Sequence, residues 1–246
     1  MGFGSLFKRD FINIILNPVL FFSNTVFPVL LLMVMGYLTH DGYGSAVSSY
    51  DYYGVTLLLY TVLNVSTTAA NSFMEKSIMD SNLRILYSPV STSFIYLSKV
   101  LATFAFTSLC YMAYAIIVKL LFNVNFGGAK ATYIFIMLLL FNMPSTLIGI
   151  LFCCIFKSEE STNKILSIFI NISAILGGTF FQIDGLGKTA QQVSNISPLK
   201  WITKAVFRTI YDGDTSLVLP VCAIFIAASL ILLLGCKLTF KTEDYV

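Results

Sequence analysis

The chain has 246 residues, of which 57% are hydrophobic and only 11% charged, with a formal net charge of +3 and a mean hydropathy of +0.84. Soluble domains carry about 25% charged residues, so this composition excludes a water-soluble core with a polar coat and describes a chain whose main solvent is lipid. The positive balance is too small and too scattered for a nucleic-acid surface, so no nucleic-acid partner is expected.

The first element is an amphipathic helix within residues 1–17. Phe3, Leu6, Phe7, Phe11, Ile14 and Ile15 form one apolar side, with Lys8, Arg9 and Asp10 off it, the pattern of a helix lying along the bilayer interface. A spanning helix needs about 20 apolar residues. Six stretches approach that without an internal charge: 19–38, 54–74, 100–118, 131–156, 165–182 and 216–236. The first is too long for a cleaved signal peptide, and no small-x-small site follows it. His40 follows this span directly and reads as an interfacial residue. Pro28, Pro144 and Pro220 lie within or beside spans, where helix packing re-satisfies freed backbone groups.

Six spans put both termini on one side. With that side cytoplasmic, the inside segments hold Lys8, Arg9, Lys76, Arg84, Lys99, Lys157, Lys164, Lys237 and Lys241. The short outside loops hold only Lys130, with Lys119 at a helix end, while Lys188, Lys200, Lys204 and Arg208 fall in the long outside segment. The positive-inside rule favours this orientation.

Between spans two and three lies the longest inside loop, residues 75–99. Leu83, Ile85, Leu86 and Tyr87 supply apolar bulk beside polar Ser81, Asn82 and Arg84. This predicts a short amphipathic helix, stopped at SPVS because the residue before Pro89 is pushed out of the α region. Ser91 or Thr92 can cap the next helix. By composition alone, a membrane-surface loop with no partner is equally open.

The stretch MEKSIMDSNLRILYSPVSTSFIYLSKVLA resembles the first cytoplasmic loop of type-2 ABC transporter permeases, through Glu75/Lys76, the element from Leu86 to Ser91 with Pro89 and Val90, and Lys99. The resemblance extends over 1–246 as a single ABC-2-type transmembrane domain. It implies an all-α integral membrane protein with six transmembrane helices, an N-terminal interfacial helix (1–17), a cytoplasmic coupling helix in the 75–99 loop and an extracellular re-entrant or lid segment (183–215). It also implies that Asn82, Leu83, Arg84, Leu86, Tyr87 and Pro89 couple to a separate ABC ATPase subunit, two copies per transporter. The further partners are a second permease copy or a similar permease, and the lipid bilayer. ATP and Mg would enter only through the ATPase, in a bacterial cell membrane.

GLGKT at 185–189 lacks the first glycine of a phosphate-binding loop, since Gln182 stands in its place, and no region is long or polar enough for an ATPase domain. The rest of the outside segment is more structured. Ser197-Pro198 is a helix start, Lys200, Lys204, Arg208 and Tyr211 recur at helical spacing, Leu199, Ile202, Val206 and Ile210 form another side, and Gly213 is a stop. By resemblance this is an outer lid, with Trp201, Lys204 and Arg208 as its candidate residues and Ser197 where Asn is common. A passive interfacial anchor is the alternative, which Trp201 alone would fit.

Polar residues recur inside spans. Span two carries Asn64, Thr67, Thr68 and Asn71, span four Asn142, Ser145, Thr146 and Gly149, and span five Asn163, Ser167 and Asn171. Interhelical hydrogen bonding is one reading, worth ~0.6 kcal/mol per contact on average. The other, from the facing of spans two and five in the family resembled, is that Asn64, Thr68, Asn71, Ser167 and Asn171 border a translocation path. The five cysteines (Cys110, Cys153, Cys154, Cys222 and Cys236) sit in apolar runs without metal-site spacing and read as small hydrophobes. No charge lies deep in any span, so the parts for proton coupling, usually an Asp, Glu, Arg or His placed there, are missing, as are a catalytic base and metal ligands.

The expected function is the permease subunit of an ATP-driven exporter, moving an amphipathic or hydrophobic drug, peptide or lipid-like substrate by alternating access. An ATPase-independent membrane binding, immunity or assembly protein is the first alternative. A polysaccharide-exporting permease is the second, disfavoured because the N-terminal region shares only the Arg9-Asp10 pair with such relatives.

Overall fold

The structure, a computed structural model, describes residues 2–44, 47–74, 92–180 and 187–240, and every regular element among them is helical. Helix α1 (Phe3–Leu16) buries Leu6, Asp10 and Ile14, one stripe at i, i+4 and i+8, against the fourth helix. This corrects the sequence expectation in one respect. Phe3, Phe7 and Phe11 are half-buried, Ile15 is exposed, and Asp10 lies in the middle of the buried side. The chain then bends at Asn17, whose side chain accepts hydrogen bonds from the amides of Val19 (3.1 Å) and Leu20 (3.3 Å), with Pro18 at the first helical position of α2.

Helix α2 (Pro18–Leu38) contains a wide turn, Phe22–Val26, where the Phe27 amide reaches back five residues to Phe22 O. It lies just before Pro28, whose ring would collide with the carbonyl of residue 24 in a regular helix. Helix α3 (Ser49–Met74) follows, then α4 (Thr92–Phe122) and α5 (Ala131–Phe156). A left-handed Lys157 (φ 55°) turns the chain into α6 (Glu159–Gly177), capped by the Ser158 side chain. The short α7 (Lys188–Ser194), α8 (Pro198–Phe207, continued by a wide turn to Asp212) and α9 (Val218–Thr239) are the remaining helices among the described residues.

Among the described residues, four helices are long and apolar enough to cross a membrane: Pro18–Leu38, Ser93–Phe122, Gly128–Phe156 and Val218–Thr239. The other two expected spans correspond to α3 and α6. With 26 and 19 residues they are roughly 39 and 28 Å long at 1.5 Å per residue, but polar side chains lower their hydropathy. α3 is the centre of the bundle, flanked by α2, α4, α5, α6 and α8, while α9 packs mainly on α5. Gly149 on α5 lets the backbones touch, since a Cβ there would overlap the Ser66 carbonyl oxygen of α3. Large apolar side chains such as Val34, Met112, Ile116, Leu230 and Ile231 cover the outside of the bundle, more exposed apolar surface than water tolerates and what a lipid-facing belt requires.

Candidate translocation site and its two ends

At the end of the bundle where α3 stops at Met74 and α4 starts at Thr92, three helices are tied by charge. Lys99, two turns inside α4, is buried. Its Nζ stands 3.6 Å from Asp10 Oδ1 of α1 and donates at 2.9 Å to Ser72 O of α3. The Ser98 hydroxyl donates to the other Asp10 oxygen, and Ser72 Oγ lies 3.1 Å from Thr103 Oγ1. A cavity of about 20 Å³ beside the pair, lined by Asp10, Asn13, Asn17, Ser72 and Lys99, has room for roughly one water. The six coupling residues expected from the sequence, Asn82, Leu83, Arg84, Leu86, Tyr87 and Pro89, lie outside the described residues.

Within the bundle, most polar side chains are spent on one another. Asn24, in the wide turn of α2, donates to Thr68 Oγ1 at 2.9 Å and to Leu20 O at 2.8 Å. Asn142 of α5 donates to Ser108 Oγ (3.0 Å) and Phe104 O (3.2 Å) of α4. Tyr111 and Tyr114 of α4 donate to the Thr61 and Gly54 carbonyls of α3, both at 3.3 Å.

One side of α3 escapes this burial. Tyr60, Asn64, Thr67, Asn71 and Met74 are half-exposed at i, i+4, i+7, i+11 and i+14. Beside them, α6 leaves Lys164, Ser167, Ile168, Asn171, Ile172 and Ile175 exposed. Asn163 Nδ2 joins the two helices by donating to Asn71 Oδ1 at 2.8 Å. The hydroxyl of Thr67 is enclosed without a hydrogen-bond partner, as is Asn163 Oδ1. Of the five path residues expected from the sequence, Asn64, Asn71, Ser167 and Asn171 share this open face. Thr68 points the other way, to Asn24, and Thr67 occupies the place that the sequence reading assigned to it.

The opposite end is closed by backbone. α6 terminates at Gly178, left-handed with φ 75°, a conformation that favours glycine. The start of α3 holds the chain beyond it, as Tyr52 donates to Gly178 O, Thr56 to Thr179 O (3.1 Å) and Tyr53 to Phe180 O (2.9 Å). Ser197 caps α8 by accepting from the Leu199 amide (3.2 Å) while its hydroxyl donates to Ser173 O of α6 (2.7 Å). Leu199, Ile202, Ala205 and Val206 bury one face of α8. Its other face, with Lys200, Lys204, Arg208 and Tyr211, lines a cavity of about 680 Å³ together with Tyr52 and Phe207. Trp201 is exposed beside this face, its Nε1 donating to Asn195 O at 2.8 Å. Arg208 lies 3.7 Å from Asp214. The Ser216 amide and hydroxyl, with Arg208 and Lys130, hold the Asp214 carboxyl below the usual carboxylate range. Burial and the Asp51 charge push the Tyr211 phenol up to about 12.

A family model matches residues 1–211, that of the ABC-2 type transporter. The chain belongs to this family. None of the curated proteins matches it.

The match runs from α1 to Tyr211, so it takes in the buried charge pair, the open face of α3 and α6, and the cationic face of α8. As an ABC-2 type permease the chain is a transmembrane component of an ABC transporter, and that component is generally not the catalytic one. Two features of this permease escaped sequence reading. Asp10 looks like one of three consecutive interfacial charges, and only its i±4 partners Leu6 and Ile14 mark it as inward-facing. The phase of the stripe on α3 was shifted because Thr67 and Thr68 are chemically alike, and only Asn24 of another helix decides between them.

Proposed function

We propose that this permease is the membrane subunit of an ATP-driven exporter, with α3 and α6 counted as spans to make six and both termini in the cytoplasm. Two copies, or this chain and a similar one, would work with two ABC ATPase subunits that bind the ATP and Mg. The observation that carries this reading is the open face of α3 and α6. A helix otherwise sheathed in protein leaves Asn64, Thr67 and Asn71 half-exposed beside Ser167 and Asn171 of its neighbour. Such groups are disfavoured against lipid, so this face is covered by a second permease or lines a watered path. Both follow if two such faces meet.

The charge pair supports the mechanical side. Lys99 binds Asp10 of α1 and the Ser72 carbonyl of α3 at once, so a push on the segment between α3 and α4 moves three helices as one block. ATP binding closes the ATPases, this block shifts, and the α3–α6 face passes from inward-open to outward-open; hydrolysis resets it. The face carries Asn, Thr, Ser, Tyr and Ile side chains with Lys164 at one end, which suits an amphipathic or hydrophobic cargo (drug, peptide or lipid-like) in a bacterial cell membrane.

The test is mild-detergent capture of the tagged chain from its own host, beside a Leu86→Asp/Tyr87→Asp variant, with stoichiometry by mass spectrometry. A one-to-one ATPase lost in the variant supports the exporter. A folded chain that captures no ATPase overturns it in favour of a protein acting by binding alone.

A further inference from the structure

We propose that the α3–α6 face takes an extended, uncharged peptide segment, pairing its backbone amides with carboxamide and hydroxyl side chains and its apolar side chains with the isoleucines beside them. The proposal rests on the exporter reading in taking this face as the route, and it narrows the cargo to one chemical class.

The two helices run antiparallel, the start of α3 beside the end of α6 and its end beside the start of α6, and their polar side chains fall at matched heights. Asn163 of α6 closes the first rung of a ladder by donating to Asn71 Oδ1 of α3 at 2.8 Å. At 1.5 Å per residue, Thr67 and Ser167 both stand about 6 Å beyond that bond, and Asn64 and Asn171 about 10 and 12 Å beyond it. These two further rungs are open. Among the described residues, no hydrogen bond joins Thr67 to Ser167 or Asn64 to Asn171, nor any of these four side chains to another partner. Elsewhere in the bundle such groups are spent. Asn24 and Asn142 each bond two or more neighbours, and Thr61, Ser66, Thr107 and Ser145 return their hydroxyls to carbonyls of their own helix. The ladder therefore carries unpaired donors and acceptors side by side, with the Thr67 hydroxyl and Asn163 Oδ1 already enclosed.

A carboxamide has the donor and the acceptor of a peptide group, so each open rung can pair with a backbone N–H and C=O. The rungs recur at about 5–6 Å, and the groups on one side of an extended chain at about 6.6–6.8 Å. The stretch from Asn71 to Asn64 is about 10 Å long, the reach of about three extended residues. Beside it Ile168, Ile172 and Ile175 are exposed at i, i+4 and i+7 of α6, where the side chains of such a segment would lie. Lys164, the cation at the foot of the face, is paired with Glu160 at 2.7 Å, so the ladder offers no net charge to a lipid headgroup or a drug cation. An alkyl tail would leave the carboxamides against hydrocarbon, which is costly. A glycan would leave the isoleucines against hydroxyls.

The experiment uses the full-length chain in phosphatidylcholine nanodiscs. The probe is acetyl-Ala-Leu-Ala-Leu-amide with a diazirine on one leucine, cross-linked by light and mapped by mass spectrometry. The competitors are the unlabelled peptide, its N-methylated counterpart (which keeps the side chains and loses the backbone donors), dodecyl maltoside and tetraphenylphosphonium. The expected result is saturable labelling within 64–71 and 163–175, displaced by the peptide at a concentration about tenfold or more below that of any other competitor. Asn64→Leu/Asn171→Leu should weaken binding about tenfold, and the isosteric Thr67→Val about threefold. The valine variant keeps the shape of the face and decides the matter if the double variant loses its monodisperse size-exclusion peak. Displacement by the N-methylated peptide, the maltoside or the phosphonium at the same concentration as the peptide overturns the inference, as does unchanged affinity in the variants. So does labelling that never saturates or falls only on lipid-facing side chains such as Leu230 and Ile231, the result expected if a second permease fills the rungs. ATPase capture on the same preparations separates the two ideas. Capture without saturable peptide binding leaves the exporter standing and removes this inference, and binding without capture does the reverse.

Discussion

The Asp10–Lys99 pair invites the sharpest perturbation. Both side chains are almost inaccessible, and among the described residues they are relieved by each other, the Ser98 hydroxyl and the Ser72 carbonyl. Lys99→Met leaves a buried carboxylate with one hydroxyl donor, and Asp10→Leu leaves a buried ammonium with one carbonyl. Breaking a buried pair by removing one partner costs about 3–5 kcal/mol, whereas replacing both by apolar groups is often neutral. The cavity beside the pair can admit a water to the Asp10 carboxylate, so the low end applies to Lys99→Met, about 3 kcal/mol. At roughly 2–4 °C per kcal/mol for a chain of this size, the thermal midpoint should fall by about 6–12 °C. The Asp10→Leu/Lys99→Met double variant should return to within about 3 °C of the parent. The assay is loss of the monodisperse size-exclusion peak on heating in mild detergent, run as a double-mutant cycle. Simple additivity of the two losses, or single variants that melt with the parent, would refute the claim that these two groups are each other's compensation.

Gly149→Ala places a Cβ on the Ser66 carbonyl and should cost about 1–3 kcal/mol by forcing α3 and α5 apart, read as a lower melting midpoint in the same assay. Thr68→Val removes the acceptor of the Asn24 amide and should cost much less, about 0.6 kcal/mol, with the fold retained. Ser197→Ala loses both the α8 cap and the bond to Ser173; a loss of about 1 kcal/mol should show as faster amide exchange at the start of α8. Ser167→Cys and Asn171→Cys should accept a maleimide in the separated chain and become protected when two permeases pair, while the five native cysteines, all buried, stay unlabelled.

Much of the helical layout was legible because a bilayer forces it. A run such as 19–38 or 131–156 has few alternatives once backbone groups must be satisfied internally, and the helices Pro18–Leu38 and Ala131–Phe156 match those runs closely. Ser197-Pro198 and Gly213 bracket α8 and its continuation as their cap chemistry requires. What the sequence withheld was direction. The cap chemistry at Ser91 and Thr92 marks where α4 can begin, but hydropathy does not say that Lys99, two turns inside it, is buried. It says that α3 has a polar stripe, but which residues belong to it is decided by Asn24, which lies in the wide turn before Pro28 and bonds Thr68. The cations of α8 were visible as a helical repeat. That Lys200, Lys204, Arg208 and Tyr211 share one cavity depends on Gly177 and Gly178 bringing the end of α6 beside them.

The central position of α3 bears on how the molecule is made. On the six-span reading, α3 leaves the ribosome after only α1 and α2, and its polar side chains make it a poor candidate to enter lipid alone. At that moment the partner in place for it is Asn24, waiting for Thr68. Tyr111, Tyr114 and Gly149, which complete its casing, are still unsynthesised. α3 is therefore expected to linger beside the translocation channel until α4 and α5 emerge, so that a nascent chain halted just after Met74 should insert incompletely where one carried past Phe156 should be held. On that reading, the helix nearest the proposed path is committed to the bilayer only after later helices have emerged.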